Sequence, residues 1–283
     1  MIHLQNNQYQ MDISRVGAEI HHLLGPNGVE RIWQNVPAVW PSHTPLLFPI
    51  AGALKDDTWY YQGRAYTMPK HGFVRTKEFE LESVDMTHAT LVLRGEAIRN
   101  AGYPFECELR VCYTLTGNQV LIEYKTRNVG KEPLYYSIGS HEGYACEGGI
   151  EQFEVIFPED ESLEQTLLDG SLLRHETRVW PLQDHALTLT ADDFKDDALV
   201  FASLKSREVT LRRRDRAYEV SVSFPQCDTL LLWTKVGAPY LCIEPWCNAP
   251  DYVDCDQQLT HKPGMIRVEP GQEHTVAHTL TFR

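Results

Sequence analysis

Apolar and polar side chains alternate with period two along much of the chain, the pattern of strands with one buried face. Over residues 108–115 the apolar set is Leu109, Val111, Tyr113 and Leu115, with Arg110 and Thr114 between them. Gly117-Asn118 follows as a turn. Val120, Ile122 and Tyr124 then resume the alternation, with Glu123 and Lys125 on the other face, so the stretch predicts a hairpin. Ala89, Leu91 and Leu93 alternate in the same way, as do Tyr218, Val220, Val222 and Phe224. Val276, Leu280 and Phe282 share one parity. Shorter strands are expected at residues 1–4, 9–13, 18–20, 32–34, 58–62, 209–211 and 230–236. Helical periodicity is weak, with one short turn at residues 191–195. Residues 44–54, TPLLFPIAGAL, are apolar but hold two prolines, which predicts a buried irregular crossing rather than a central strand. The whole reads as all-β, a large antiparallel β-sandwich with loops long enough to carry a site.

Length and composition narrow this picture. The chain has 283 residues, and no Pro/Gly-rich linker or internal repeat divides it, so a single domain over residues 1–283 is expected. The formal net charge is −13, which leaves no general electrostatic footprint for nucleic acid or an anionic membrane. A polar N-terminus and the lack of a long apolar run fit a cytoplasmic protein, a monomer or homodimer acting on a small neutral molecule. The seven cysteines form no CxxC pair. Cys242, Cys247, Cys255 and His261 match no common zinc spacing, so reduced, mostly buried thiols and no metal are expected. Arg212, Arg213, Arg214 and Arg216, with Asp215 among them, read as a surface hairpin turn.

Three stretches carry candidate chemistry. In LCIEPWCNAPD (residues 241–251), a buried strand delivers Glu244 beside Trp246. Pro245 lacks a ladder N–H and is expected to interrupt the pairing. A carboxylate against an indole wall is how a general base is positioned. In PKHGFVRTKEF (residues 69–79), His71 precedes a glycine that permits an unusual turn, and Arg75 is an anion contact or a surface ion-pair member. In LYYSIGSHEGYACE (residues 134–147), His141 follows a strand among aromatics and glycines. Trp233 in LLLWTKV (residues 230–236) is a core residue or a platform for a sugar face.

HGFVR, SIGSHEGY and CIEPWCNAPD, in this order, resemble the aldose 1-epimerase (galactose mutarotase-like) superfamily. LLFPIAGALKDDTWYYQGRAY, DDALVF and KPGMIRVEPGQE are similar to its LacX-type branch, so the resemblance covers nearly the whole chain. It implies a supersandwich fold and mutarotation of an aldopyranose monosaccharide with no metal or nicotinamide. By position, Glu244 matches the family's base, His141 its acid and His71 a substrate-holding histidine. Asp197 matches its sugar-hydroxyl ligand. Arg75 and Trp246 are further substrate contacts.

Two positions depart from the family pattern. Ala53 stands where an Arg is usual, leaving Lys55 or Arg75 as substitutes. Glu142 follows His141 where Pro is usual. A carboxylate there would raise the His141 pKa if close, or do nothing if it faced water. A hexose-6-phosphate 1-epimerase, with Arg75 on the phosphate, and a non-catalytic sugar-binding protein are the alternatives. A glycoside hydrolase fits less well, since it needs two placed carboxylates.

Overall fold

The structure is a computed structural model that describes residues 1–99 and 102–283. Among these, two antiparallel sheets dominate. The larger has nine strands, in the order Ala186–Thr188, Phe153–Ile156, Glu208–Arg213, Glu219–Ser223, Glu273–Phe282, Gln119–Asn128, Cys107–Thr116, His88–Leu93 and Glu80–Val84. The other has six: Glu142–Ala145, Tyr240–Trp246, Thr229–Trp233, Leu199–Phe201, Glu164–Asp169 and Leu172–Val179. One apolar core runs between them and contains residues from Ile2 to Phe282. The expected hairpin is Cys107–Thr116 with Gln119–Asn128, and Leu109, Val111, Tyr113 and Leu115 are all buried in it. No helix among the described residues is long and apolar enough to cross a membrane.

Alternation within the six-stranded sheet decides where the chemistry lies. Every residue of Tyr240–Trp246 is buried, but on two different faces. Leu241 and Ile243 enter the core between the sheets. Tyr240 and Cys242 join a second cluster with Trp33, packed against by Trp40 and Trp233. Trp246 joins a third with Leu47 and Leu231. The period of two therefore places Glu244 with Trp246 on the outer face of the sheet, under covering loops.

Pro245 does not interrupt this strand. Thr229 pairs with Trp246 and Leu230 with Pro245, so the ladder continues through the proline. The Pro245 carbonyl accepts from Ser140 N–H, which shows that the missing N–H points away from Thr229–Trp233. On that other side the regular pairing with Glu142–Ala145 has already ended, at Ile243 opposite Glu142. The proline thus costs no ladder hydrogen bond.

Residues 44–54 form the buried irregular crossing that their prolines predict. Its backbone groups find partners outside any strand. Leu47 exchanges two hydrogen bonds with Gly139, Phe73 N–H donates to the Phe48 carbonyl and Ser137 N–H to that of Pro49. Two short strands were misplaced by pattern alone. Gly17 and Ala18 take left-handed conformations, so the strand expected at 18–20 begins at Ile20 and runs to Leu24. Residues 32–34 contribute only an isolated bridge from Ile32 to Tyr144.

Glu142 meets neither of its two expected fates. It lies one residue from His141 and so projects to the opposite face, into the core, where it is 1% exposed. There its Oε1 sits 3.0 Å from Nε2 of His278, which comes from the nine-stranded sheet. A buried carboxyl with a partner in the opposing sheet ties the two layers at one point. Replacing it removes that partner and leaves the imidazole unsatisfied in the core. Glu142→Ala is expected to lower the unfolding free energy by about 3 kcal/mol, read from urea denaturation. A change within ~0.5 kcal/mol would show the pair to be energetically idle.

Candidate active site

A cleft of ≈ 260 Å³ opens on the outer face of the six-stranded sheet. Its floor comes from the sheet: Leu231 and Trp233 from one strand, Glu244 and Trp246 from the next. Loops supply the walls, with Trp40 and Ser42 on one side, Lys70, His71 and Arg75 on another, and Asp197 and Ala198 at a third. His141 lies between them. All six residues singled out from sequence, Glu244, His141, His71, Asp197, Arg75 and Trp246, therefore line one cavity.

Glu244 Oε2 and His141 Nε2 are 3.4 Å apart, and the Glu244 side chain is 2% exposed. Burial pushes the Glu244 carboxyl well above the ordinary carboxylate range. The Lys70 charge opposes this, while those of Asp197 and Glu142 add to it. Burial also pulls the His141 imidazole down to about 3. Desolvation is the largest influence on both groups, and it favours the neutral form of each over the charged one. The same number of protons held as carboxylate and imidazolium is the charge-separated tautomer of that pair. His141 is fixed by aromatic packing, stacked on Trp40 at 5.0 Å between centroids and edge-on to Trp233 at 5.7 Å.

His71 has a different environment. Its backbone and that of Gly72 are left-handed, with φ of 70° and 71°. A Cβ at Gly72 would fall on the Phe48 carbonyl, so only glycine lets the loop pack so closely on the crossing. This turn brings His71 N–H to the Gly52 carbonyl at 2.8 Å, while Gly52 N–H donates to His71 Nδ1 at 3.2 Å. Accepting at Nδ1 leaves the ring proton on Nε2. Burial, with the neighbouring His141 and Lys70, holds the imidazole well below its usual pKa, so it is neutral. Trp246 lies edge-on to it at 5.5 Å. The Trp246 indole N–H donates to the Ser140 carbonyl at 3.1 Å, and its ring occupies the space that a Cβ on Gly139 would need.

The cations are arranged otherwise than the sequence suggested. Ala53 is buried, and its carbonyl accepts from Asp251 N–H. Lys55 uses its backbone N–H on Asp251 and does not line the cleft. Lys70 does, with its Nζ 3.6 Å from Asp197 and 3.1 Å from the Ser171 hydroxyl. Arg75 is exposed at the rim. Lys70 and Trp40 were not singled out from sequence. Lys70 adjoins His71, a signal that adjacency offered. Trp40 sits in an irregular proline-flanked loop, where no periodicity marks its direction.

Among the described residues, two groups of side chains bring metal-type ligand atoms within 4.8 Å of one another. In Glu19, His21 and His43, the two imidazoles stack at 4.2 Å with planes only 18° apart, so their lone pairs lie in separate, nearly parallel planes. One oxygen of Glu19 is also occupied by His43 and Thr44 N–H groups. In His141, Cys242 and Glu244, burial drives the thiol well above its usual pKa, against the thiolate that a metal takes.

Known proteins share this architecture. The chromosomal protein LacX of Lactococcus lactis is 32% identical, with 99% of each chain aligned. A galactose mutarotase related enzyme from Lactobacillus acidophilus superposes with a TM-score of 0.93 at 30% identity, over 99% of this chain and 96% of that one. A galactose mutarotase-like protein from Lactobacillus casei has the same fold, with a TM-score of 0.93 at 21% identity over the full length of both. The aldose 1-epimerase family profile matches residues 1–281, and on that match, the relatives and the fold, the chain belongs to the aldose 1-epimerase family.

Proposed function

We propose that this protein is an aldose 1-epimerase that interconverts the α and β anomers of an aldopyranose, with Glu244 as base and His141 as acid. The observation that carries this reading is the Glu244–His141 pair, 3.4 Å apart in a cleft walled by three tryptophans. The cavity is slightly smaller than the usual ligand pocket, ~300–1,000 Å³, and suits one sugar ring. Indole faces suit its apolar side.

The cycle starts from the charge-separated tautomer. The Glu244 carboxylate takes the proton from the anomeric hydroxyl. The C1–O1 bond becomes a carbonyl as the C1–O5 bond breaks, and O5 takes the proton from the His141 imidazolium. Rotation about C1–C2 presents the other carbonyl face. O5 then returns its proton to His141 and attacks C1, and O1 recovers a proton from Glu244. Ring opening converts carboxylate and imidazolium into acid and neutral imidazole, the form that burial favours. The cost of forming the charge-separated tautomer in the buried site is therefore recovered at the open-chain stage. His71, with its proton on Nε2, donates a hydrogen bond to a sugar oxygen, and Asp197 accepts from a hydroxyl.

Glu244→Gln keeps the shape and removes the base. It is expected to reduce catalysed anomer exchange by ~10²-fold or more while sugar binding persists, read by polarimetry and calorimetry. Undiminished exchange would remove Glu244 from the role. Wild type that binds sugar and accelerates no exchange would instead make this a non-catalytic sugar-binding protein.

The pH profile follows from the shared proton. Activity requires the pair to hold one proton, whichever partner carries it. His141 gains a second only as pH falls toward about 3. Hence kcat/KM is expected not to fall as pH drops through ~6.5, the ordinary histidine value. On the alkaline side it falls when the pair loses its proton, at a pH well above the ordinary carboxylate range. A steep decline as pH falls through 6.5 in an otherwise stable protein would contradict the depressed His141 imidazole.

A phosphorylated sugar is the second reading, favoured by Lys70 and Arg75 at the cleft. It is tested by comparing glucose with glucose 6-phosphate. If the phosphate is recognised, Arg75→Ala should raise KM for the phosphorylated sugar by roughly tenfold or more and leave that for glucose within twofold.

A further inference from the structure

Two thiols face each other directly behind the cleft. Sγ of Cys227 and Sγ of Cys247 are 3.3 Å apart. Topology explains the meeting. Thr229 pairs with Trp246 at the last rung between the two strands that floor the cleft. Cys227 stands two residues before that rung and Cys247 one residue after it, so both lie just beyond the end of the ladder. A turn with Cys227 N–H on the Phe224 carbonyl holds one cysteine, and Cys247 N–H on the Ile138 carbonyl holds the other. Their exposure differs. Cys227 is 4% exposed, whereas Cys247 is only half-buried.

We propose that Cys227 and Cys247 are a redox modification site, oxidised by peroxide to a reversible disulfide that staples the two strands flooring the cleft in their native register. The Cys247 thiolate meets the oxidant first, because it is the accessible sulfur. It attacks one oxygen of hydrogen peroxide, the O–O bond breaks, and Cys247 becomes a sulfenic acid with release of water once the departing hydroxide is protonated. The Cys227 sulfur then attacks the Cys247 sulfur and loses its proton. The S–O bond breaks, the hydroxyl leaves as a second water, and the disulfide forms. In total, two thiols and one peroxide give one disulfide and two waters, a two-electron oxidation. The sulfurs must close by little more than ~1 Å to reach the bonded distance of ~2.05 Å, and both lie at chain positions where a small side-chain rotation breaks no ladder hydrogen bond. The staple spans the strands that present Leu231, Trp233, Glu244 and Trp246, so it binds the floor of the cleft together without entering it. The inference is independent of which sugar, if any, the cleft turns over.

The test is to treat the folded, fully reduced protein with stoichiometric hydrogen peroxide, block remaining thiols and map the peptides by mass spectrometry. The expected result is one dominant cross-link, between residues 227 and 247, that dithiothreitol reverses. The Tm of the oxidised form should rise by on the order of 5 °C. Cys227→Ser should leave Cys247 as a sulfenic acid trapped by dimedone, and Cys247→Ser should leave Cys227 reduced. Cross-links spread over other cysteines, the same 227–247 yield in urea-unfolded protein, or a lowered Tm on oxidation would each overturn the proposal.

Discussion

A carboxyl group removed from water is the constraint on which the site depends. Glu244 lies on a strand with no exposed residue, and nothing around it fully compensates a negative charge. Holding it there requires a protonated form or a close proton partner, and His141 is the partner within reach. The aromatic groups that dry the carboxyl also fix the imidazole, so one packing arrangement sets both the geometry and the protonation of the pair. Desolvation is the larger effect here, stronger than the pull of Lys70, and it shifts the balance of the pair toward its neutral form.

The sheet and its loops divide the work. Alternation along Tyr240–Trp246 and Thr229–Trp233 sends one set of residues into the core and the other into the cleft. Packing between the sheets therefore holds the floor of the site rigid through the same backbone. The covering loops have no such ladder and rely on isolated contacts: two bonds between Gly139 and Leu47, two between Gly52 and His71, and one from Trp246 to Ser140. Glycine recurs at these contacts because a Cβ at Gly72 or Gly139 would occupy space that another group already fills.

The fold was legible because its signal is periodic and repeated, as in Cys107–Thr116 and Gln119–Asn128. The meeting of Glu244, His141 and His71 in one cleft was legible from local chemistry joined to ordered motifs. Direction was harder. Glu142 was readable as a departure, but its partner His278 is remote in sequence, and only tertiary pairing of the sheets reveals it. Glu142–Ala145 is a strand that its short length, its one glycine and its glutamate concealed. Pro245 misled because the rule against proline in a ladder concerns one side of a strand, and sequence does not say which side is paired. Trp40 stayed hidden because an irregular loop carries no period from which to infer facing.

The hydrogen bond from Gly52 to His71 has a consequence for the proposed cycle. It holds one imidazole in a single tautomer, so that ring marks an oxygen's position and takes no part in proton traffic. Only Glu244 and His141 change state, and each recovers what it gave when the ring recloses. The catalyst therefore resets itself without consulting bulk water. Opening and closing become mirror images about the open-chain sugar, and the site has no built-in preference for the direction in which the anomers are exchanged.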